Sequence, residues 1–254
     1  MQWTDAQGLL LRRDDVTAWE DGLQPADAAR IRAFAEGAEV HIWIAELGGS
    51  SFCLEELSCE EQRRAERFRS VRDQLRFRFA HGLLRRLLAA YTGLAPSVLR
   101  FRLGRWGKPF LYDENAARSR SLVRFNMSHA KDAVCYALAA RCEIGVDLEY
   151  VDPHFDWHSA AQVCFSPCER ELLDAFPEKE RTRAFYRLWT QKEALLKASG
   201  VGLNGLTEEG CLKAGVADTS IRLVPFVSSG GYVGSVAVSV LSPAIRFFRY
   251  VAKE

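Results

Sequence analysis

The sequence predicts an α+β protein in two halves, and three observations carry that reading. Its 254 residues exceed the roughly 100–150 of a common single domain. A composition of 48% hydrophobic and 26% charged residues is that of a chain able to bury a sizeable core. Apolar periodicity runs in the order strand, helix, strands, then helix, strands, with the join near Arg141, so one half spans residues 1–141 and the other 142–254.

Taken in order, residues 1–38 mix acids and bases and read as an N-terminal extension ending in a short helix over 26–31. From Val40 to Leu47 the pattern changes, because Val40, Ile42 and Ile44 alternate with His41, Trp43 and Ala45 at the period of a strand. The stretch from Ser58 to Tyr91 lacks proline, and Phe68, Leu75, Phe79, Leu83, Leu84, Leu87 and Leu88 recur at helical steps until Gly93. Leu99 to Leu103 is a short strand, followed by the loop Gly104-Arg105-Trp106-Gly107-Lys108-Pro109. Residues 113–121 are a polar surface connection. Val123 to Met127 is a strand, Ser128 to Asp132 a turn and Ala133 to Ala139 an apolar strand. A tight turn at 140–143 leads into Ile144 to Val151, and these last two strands are expected to pair as a hairpin. Helical patches at 160–164, 168–176 and 180–188 are interrupted at Pro167 and Pro177, and the helical pattern of Trp189 onward stops at Gly200 and Gly202. Strands at Ile221–Val227, Gly234–Val240 and Ile245–Val251 complete the chain.

Composition excludes several function classes. A net charge of +1 argues against a dedicated nucleic-acid binder. The cysteines are odd in number and form no CxxC pair, as expected of reduced thiols in a cytoplasmic protein. His154, His158, Cys164 and Cys168 make no recognised zinc pattern. Neither a signal peptide nor a membrane span is expected, since the N-terminus has no basic-then-apolar leader and no uninterrupted apolar run is long enough. One region stands out in charge: Cys59 to Arg86 carries nine arginines against four acids. It is either a solvated helix face laced with ion pairs or a surface for phosphates or an acidic partner, to which guanidinium forks are suited.

The chemistry-bearing residues gather in three places. Asp147 and Glu149, two apart on a predicted strand, direct both carboxylates to one face while Val146 and Leu148 face the core. Crowded carboxylates repel, and a hard divalent cation such as Mg²⁺ relieves that repulsion; the alternative is a pair of surface acids flanking a buried strand. On the predicted helix from Trp189, the four-residue steps to Glu193 and Lys197 put an aromatic ring, a carboxylate and an ammonium on one face. Alone, that Glu/Lys pair is an ordinary helix ion pair. Ser128 and His129 lie in the expected turn.

Three motifs in this order and spacing, FNMSHA at 125–130, GVDLE at 145–149 and WTQKEALLKASGVGL at 189–203, resemble the 4'-phosphopantetheinyl transferase superfamily, in particular its two-lobed members that activate nonribosomal peptide and polyketide synthases. GKP at 107–109 and the helix ending in HGLLRRLLA are similar to that family too, so the resemblance covers roughly residues 40–206. It implies two similar α/β lobes arranged as a pseudo-dimer with the active site in the interlobe cleft. It also implies a monomeric enzyme that uses Mg²⁺, with coenzyme A and an apo acyl or peptidyl carrier protein, an acidic helical domain, as substrates. By the same resemblance Asp147, Glu149 and Glu193 hold the metal, Glu193 also standing as a candidate base, and Lys197 meets the coenzyme A diphosphate. Ser128 and His129 contact its 3'-phosphate, and Lys108, Arg64 and Arg76 lie near the nucleotide. Glu61 departs from the pattern, standing where the family can carry a basic residue. The alternative function is a non-catalytic module that binds coenzyme A or a carrier protein on the same fold.

Overall fold

A computed structural model describes residues 2–4, 10–12, 20–21, 28–47, 56–112, 122–205, 207, 221–239 and 244–250. Most of the expected N-terminal extension, the polar connection at 113–121, and Cys53 and Cys211 lie outside these residues. A short pair, β1 (Gln2–Thr4) and β2 (Leu10–Arg12), precedes β3 (Glu20–Asp21), α1 (Ala28–Ala35) and β4 (Glu39–Glu46). Helices α2 (Cys59–Glu66) and α3 (Val71–Thr92) follow, then the ribbon β5 (Arg100–Leu103) and β6 (Pro109–Tyr112). The middle of the chain holds β7 (Val123–Ala130), β8 (Ala133–Ala140), β9 (Ile144–Tyr150), α4 (Trp157–Cys164), α5 (Pro167–Asp174) and α6 (Glu178–Ser199). The last strands are β10 (Arg222–Ser228), β11 (Tyr232–Val238) and β12 (Ala244–Arg249).

Two sheets stack face to face with a long helix outside each. The first has the order β3-β12-β4-β8-β7, the second β10-β11-β9. β8 shows why the sequence builds this arrangement. All eight of its residues are buried, the continuous apolar run of a strand covered on both faces. Val134, Tyr136 and Leu138 pack with Trp43, Phe125 and the α3 residues Leu83, Leu84, Leu87 and Leu88. The opposite face carries the small residues Ala133, Cys135, Ala137 and Ala139, which allow the second sheet's Ile144, Val146, Leu148, Val236 and Val238 to pack against it. On the far side of that second sheet, Val233 and Ala237 meet α4, α5 and α6 through Phe165, Leu173, Phe185, Leu188 and Leu195. Both outer helices are 22 residues long, and each ends on a left-handed glycine, Gly93 and Gly200, at φ 72° and 73°. Among the described residues no helix is long and apolar enough to cross a membrane.

The structure corrects four sequence expectations. The single helix expected from Ser58 breaks into α2 and α3, because Ser70 adopts an extended backbone and its hydroxyl accepts the Asp73 N–H as a fresh N-cap. The hairpin expected between 133–139 and 144–151 does not form: β8 pairs with β7 and β4, whereas β9 crosses to the second sheet and pairs with β11. Ser128 and His129 lie on β7, and the turn is only Lys131-Asp132. Finally, α6 begins at Glu178, just after Pro177, and runs unbroken to Ser199, so the stretch from Trp189 is its second half. The last strand, β12, joins the first sheet, parallel to β4 and with Phe248 stacked on Trp43 at 4.6 Å between ring centroids.

Candidate active site

The carboxylate of Asp147 is the centre of the candidate site. It is buried on the outer face of β9, and its Oδ1 accepts the Ser128 hydroxyl at 2.9 Å and the Lys197 ammonium at 2.6 Å. Lys197 also donates to Ser128 Oγ at 3.1 Å, which closes a triangle drawn from β7, β9 and α6. Asp147 Oδ2 is buried and accepts no hydrogen bond among the described residues. A buried, unsatisfied carboxylate oxygen is costly and calls for a partner such as a water or an ion. Burial pushes the Asp147 pKa up, against the pull of Lys197 and Ser128.

Two more carboxylates share this field. Burial, then the Asp147 charge, lifts Glu149 to about 7, while the Trp189 side chain and Lys197 oppose the rise. Glu193 is raised by burial and then by Asp147, and lowered by Lys197. Three carboxylates whose ionisation is penalised, balanced by one nearby lysine, form a donor set suited to a hard divalent cation. Among the described residues no three acidic, histidine or cysteine side chains are already gathered as a metal cage. Lys197 meanwhile neutralises Asp147 from the Oδ1 side. The observation in favour of a metal is the orphaned Oδ2 of Asp147, with two further acids, Glu149 and Glu193, in its field.

Glycine 145 explains how a helix comes close enough to deliver these groups. A Cβ there would lie 2.1 Å from the Ala194 carbonyl oxygen and 2.4 Å from the Ala198 nitrogen, both backbone atoms of α6. The helix thus rests on the bare backbone of β9, and Glu193 and Lys197 overhang the same strand face that carries Asp147 and Glu149. Thr190 fastens the other side through its 3.0 Å hydroxyl contact with the buried Ser235 of β11. The two sheets meet at this edge, where the Val146 N–H donates to the Asn126 side-chain oxygen on β7 at 2.9 Å.

The remaining residues singled out from sequence are placed less uniformly. Ser128 joins the triangle, and His129 is exposed one position further along β7. Lys108 spends its ammonium on Glu143 Oε2 at 3.1 Å and on the carbonyls of Ile144 and Ala198 at 3.0 Å each, so it ties the β5–β6 loop to the start of β9 and the end of α6. Arg76 is held by Asp132 and Asp73, together with Arg72 on Asp132. Arg64 is exposed, its guanidinium 5.2 Å from the Phe77 ring centroid. The arginine-rich segment is therefore divided. Arg85 is buried on Glu61 at 2.6 Å and on the carbonyl of Pro96, and Arg86 meets Glu56. Sequence reading did not single out Gly145, Trp189 as a partner of Glu149, or Arg78, whose buried Nε has no hydrogen-bond partner among the described residues.

Comparison with known proteins bears on this site. Residues 143–220 match the family described as the 4'-phosphopantetheinyl transferase superfamily, and residues 42–142 match that described as 4'-phosphopantetheinyl transferase, N-terminal. The chain is 35% identical over 225 residues to the 4'-phosphopantetheinyl transferase HetI of Nostoc, covering 84% of this chain and 92% of that protein. It is 39% identical over 149 residues to a putative 4'-phosphopantetheinyl transferase of Synechocystis, 59% of each chain. A 4'-phosphopantetheinyl transferase of Bacillus subtilis shares 30% identity over 148 residues, 58% of this chain and 62% of that one.

Proposed function

Because the chain belongs to the 4'-phosphopantetheinyl transferase superfamily and is an enzyme of that class, we propose that it transfers the phosphopantetheine arm of coenzyme A to a serine of an apo acyl or peptidyl carrier protein. The observation that carries this reading is the buried Asp147, with one oxygen held by Ser128 and Lys197 and the other free of any hydrogen bond among the described residues. In the reaction the serine oxygen bonds to the β-phosphorus of coenzyme A, the bond from that phosphorus to the bridging oxygen breaks, and 3',5'-ADP leaves. Such a transfer needs alignment and charge neutralisation more than covalent help.

Asp147, Glu149 and Glu193 would hold Mg²⁺. Bound there, the cation supplies charge neutralisation for the diphosphate. Lys197 has spent two of its three N–H donors, on Asp147 and Ser128, and its partly exposed ammonium keeps the third for a phosphate oxygen of the leaving group. Glu193, on the α6 face that overhangs Asp147, takes the serine proton either on its own carboxylate or through a water it holds. His129 and Arg64, both exposed, are available to the nucleotide, and Arg76 orders the hairpin tip beyond His129. The enzyme works as a two-lobed, cytoplasmic monomer on an acidic helical carrier.

Incubation with coenzyme A, Mg²⁺ and a panel of apo carrier proteins tests this. At least one carrier gains the mass of one phosphopantetheine, and Asp147→Ala lowers the rate by about 100-fold or more. A wild-type protein that modifies no carrier beside a working reference enzyme overturns the reading.

A further inference from the structure

Lys192, between Gln191 and Glu193 on α6, is a buried charge for which the transfer chemistry has no use. Its side chain and that of Glu169 are both 0% exposed and 2.8 Å apart. Glu169 belongs to the capping box at the start of α5, where its Oε2 also accepts the Ser166 N–H at 2.7 Å. The Lys192 ammonium donates as well to the carbonyl of Cys164, the last residue of α4, at 3.0 Å, and lies 5.2 Å from the Phe165 ring centroid. One lysine thus binds α6 to the end of α4, the connection after it and the start of α5.

Stability alone does not account for this pair. Taking two charges out of water is costly, and a well-packed apolar pair of similar volume is commonly as stable or more so. Glu169 Oε1 is moreover buried without a hydrogen-bond partner among the described residues. What an ion pair provides and an apolar contact does not is direction: the ammonium has fixed partners at fixed angles, whereas hydrocarbon surfaces slide. Adjacent residues stand about 100° apart around a helix, so anchoring Lys192 toward α4 and α5 sets where Glu193 points. A roll of α6 by about 20°, at a side-chain radius of about 6 Å, displaces the Glu193 carboxylate by about 2 Å.

We propose that Lys192 and Glu169 are positioning residues: their buried ion pair fixes the roll of α6, so that Glu193 and Lys197 face Asp147 together and the transfer step runs. The inference rests on the transferase reading given above. It is tested on full-length Glu169→Gln, Lys192→Met and the double variant Lys192→Met/Glu169→Leu, which replaces the pair with an apolar contact. Three quantities are measured at a temperature where each variant is fully folded: kcat, the KM for coenzyme A in the carrier mass-shift assay, and the rise in Tm on adding Mg²⁺ alone. In the double variant kcat falls by about tenfold or more, the KM changes by less than about threefold, and the Mg²⁺-dependent rise in Tm shrinks. A folded double variant with wild-type kcat and a wild-type response to Mg²⁺ makes the pair purely structural and overturns the proposal. If the lysine variants do not fold, Glu169→Gln, which keeps the size of the side chain, decides by the same quantities. A wild-type protein that modifies no carrier defeats the transferase reading instead, and the Mg²⁺ response then still tests the positioning role.

Discussion

Glu149 carries a burial cost that depends on pH. Its folded-state pKa, about 7, stands above the ordinary 4.5, so between those values the folded protein holds a proton that the unfolded chain has released. Stability contributed by this group is therefore present below about pH 4.5 and lost as pH rises through about 7. In the metal-free enzyme, Glu149→Gln removes this loss: its Tm declines less between pH 5 and pH 8 than that of the wild type, while carrier modification falls by about 100-fold. A variant whose Tm follows the wild-type pH curve contradicts the assignment. Glu61 behaves in the opposite way. Burial disfavours its charge, but bonds from His81, the Ser58 N–H and Arg85 hold it down at about 2, which makes it a fixed counter-charge for the buried Arg85. From sequence alone Glu61 is an anomaly beside a basic surface, because nothing in its neighbours reveals a partner 24 positions away. Spacing made legible that Asp147 and Glu149 share a strand face and that Glu193 and Lys197 share a helix face, but only the family resemblance brought the two faces together. The orphaned Oδ2 of Asp147 and the triple engagement of Lys108 were not legible, since both depend on atoms from distant segments.

Helix α6 can lie this close to β9 because Gly145 has no side chain at the point of contact. Gly145→Ala places a methyl group against the Ala194 carbonyl oxygen and the Ala198 nitrogen, where backbone must move. Overpacking of this kind costs about 1–3 kcal/mol. The displaced helix also withdraws Lys197 from Asp147, so a fraction that remains folded transfers phosphopantetheine far more slowly than its stability implies. Thermal unfolding and initial rates on the same preparation check this; a stable Gly145→Ala enzyme with wild-type rate shows that the close approach is dispensable. Helix existence was readable from apolar spacing, but helix ends were not. Ser70 looks like any polar residue within a helical run until its side chain is seen to cap α3, and Pro177 reads as an interruption when it is the boundary from which α6 starts. The crossing of β9 into another sheet is hidden for a similar reason: the buried strands β8 and β9 have apolar patterns that do not specify a partner.

The same crossings set how the whole chain holds together. Residues 39–46 and 123–140 supply most of the first sheet, yet the strand lying between β3 and β4 comes from residues 244–249. That strand contributes Phe248 to the core under α3 and Phe247 to the layer between the sheets, where its ring is 5.4 Å from that of Phe226. Division near Arg141 is a natural reading of the sequence, because the pattern repeats there, but hydrogen bonds and packing extend across it at Ser128–Asp147, Asn126–Val146 and Lys108–Ala198. Fragments 1–141 and 142–254 made separately therefore lack, respectively, a strand of the first sheet and the surface that covers the second sheet's inner face. Each is expected to be insoluble or to unfold without a cooperative transition when expressed alone. Produced together, they are expected to copurify and to regain carrier modification, because β12 and the interface between the sheets recreate the contacts without the peptide link at 141–142. Either fragment unfolding cooperatively by itself, with a near-ultraviolet circular dichroism spectrum of fixed aromatic packing, shows instead that its core closes without the other.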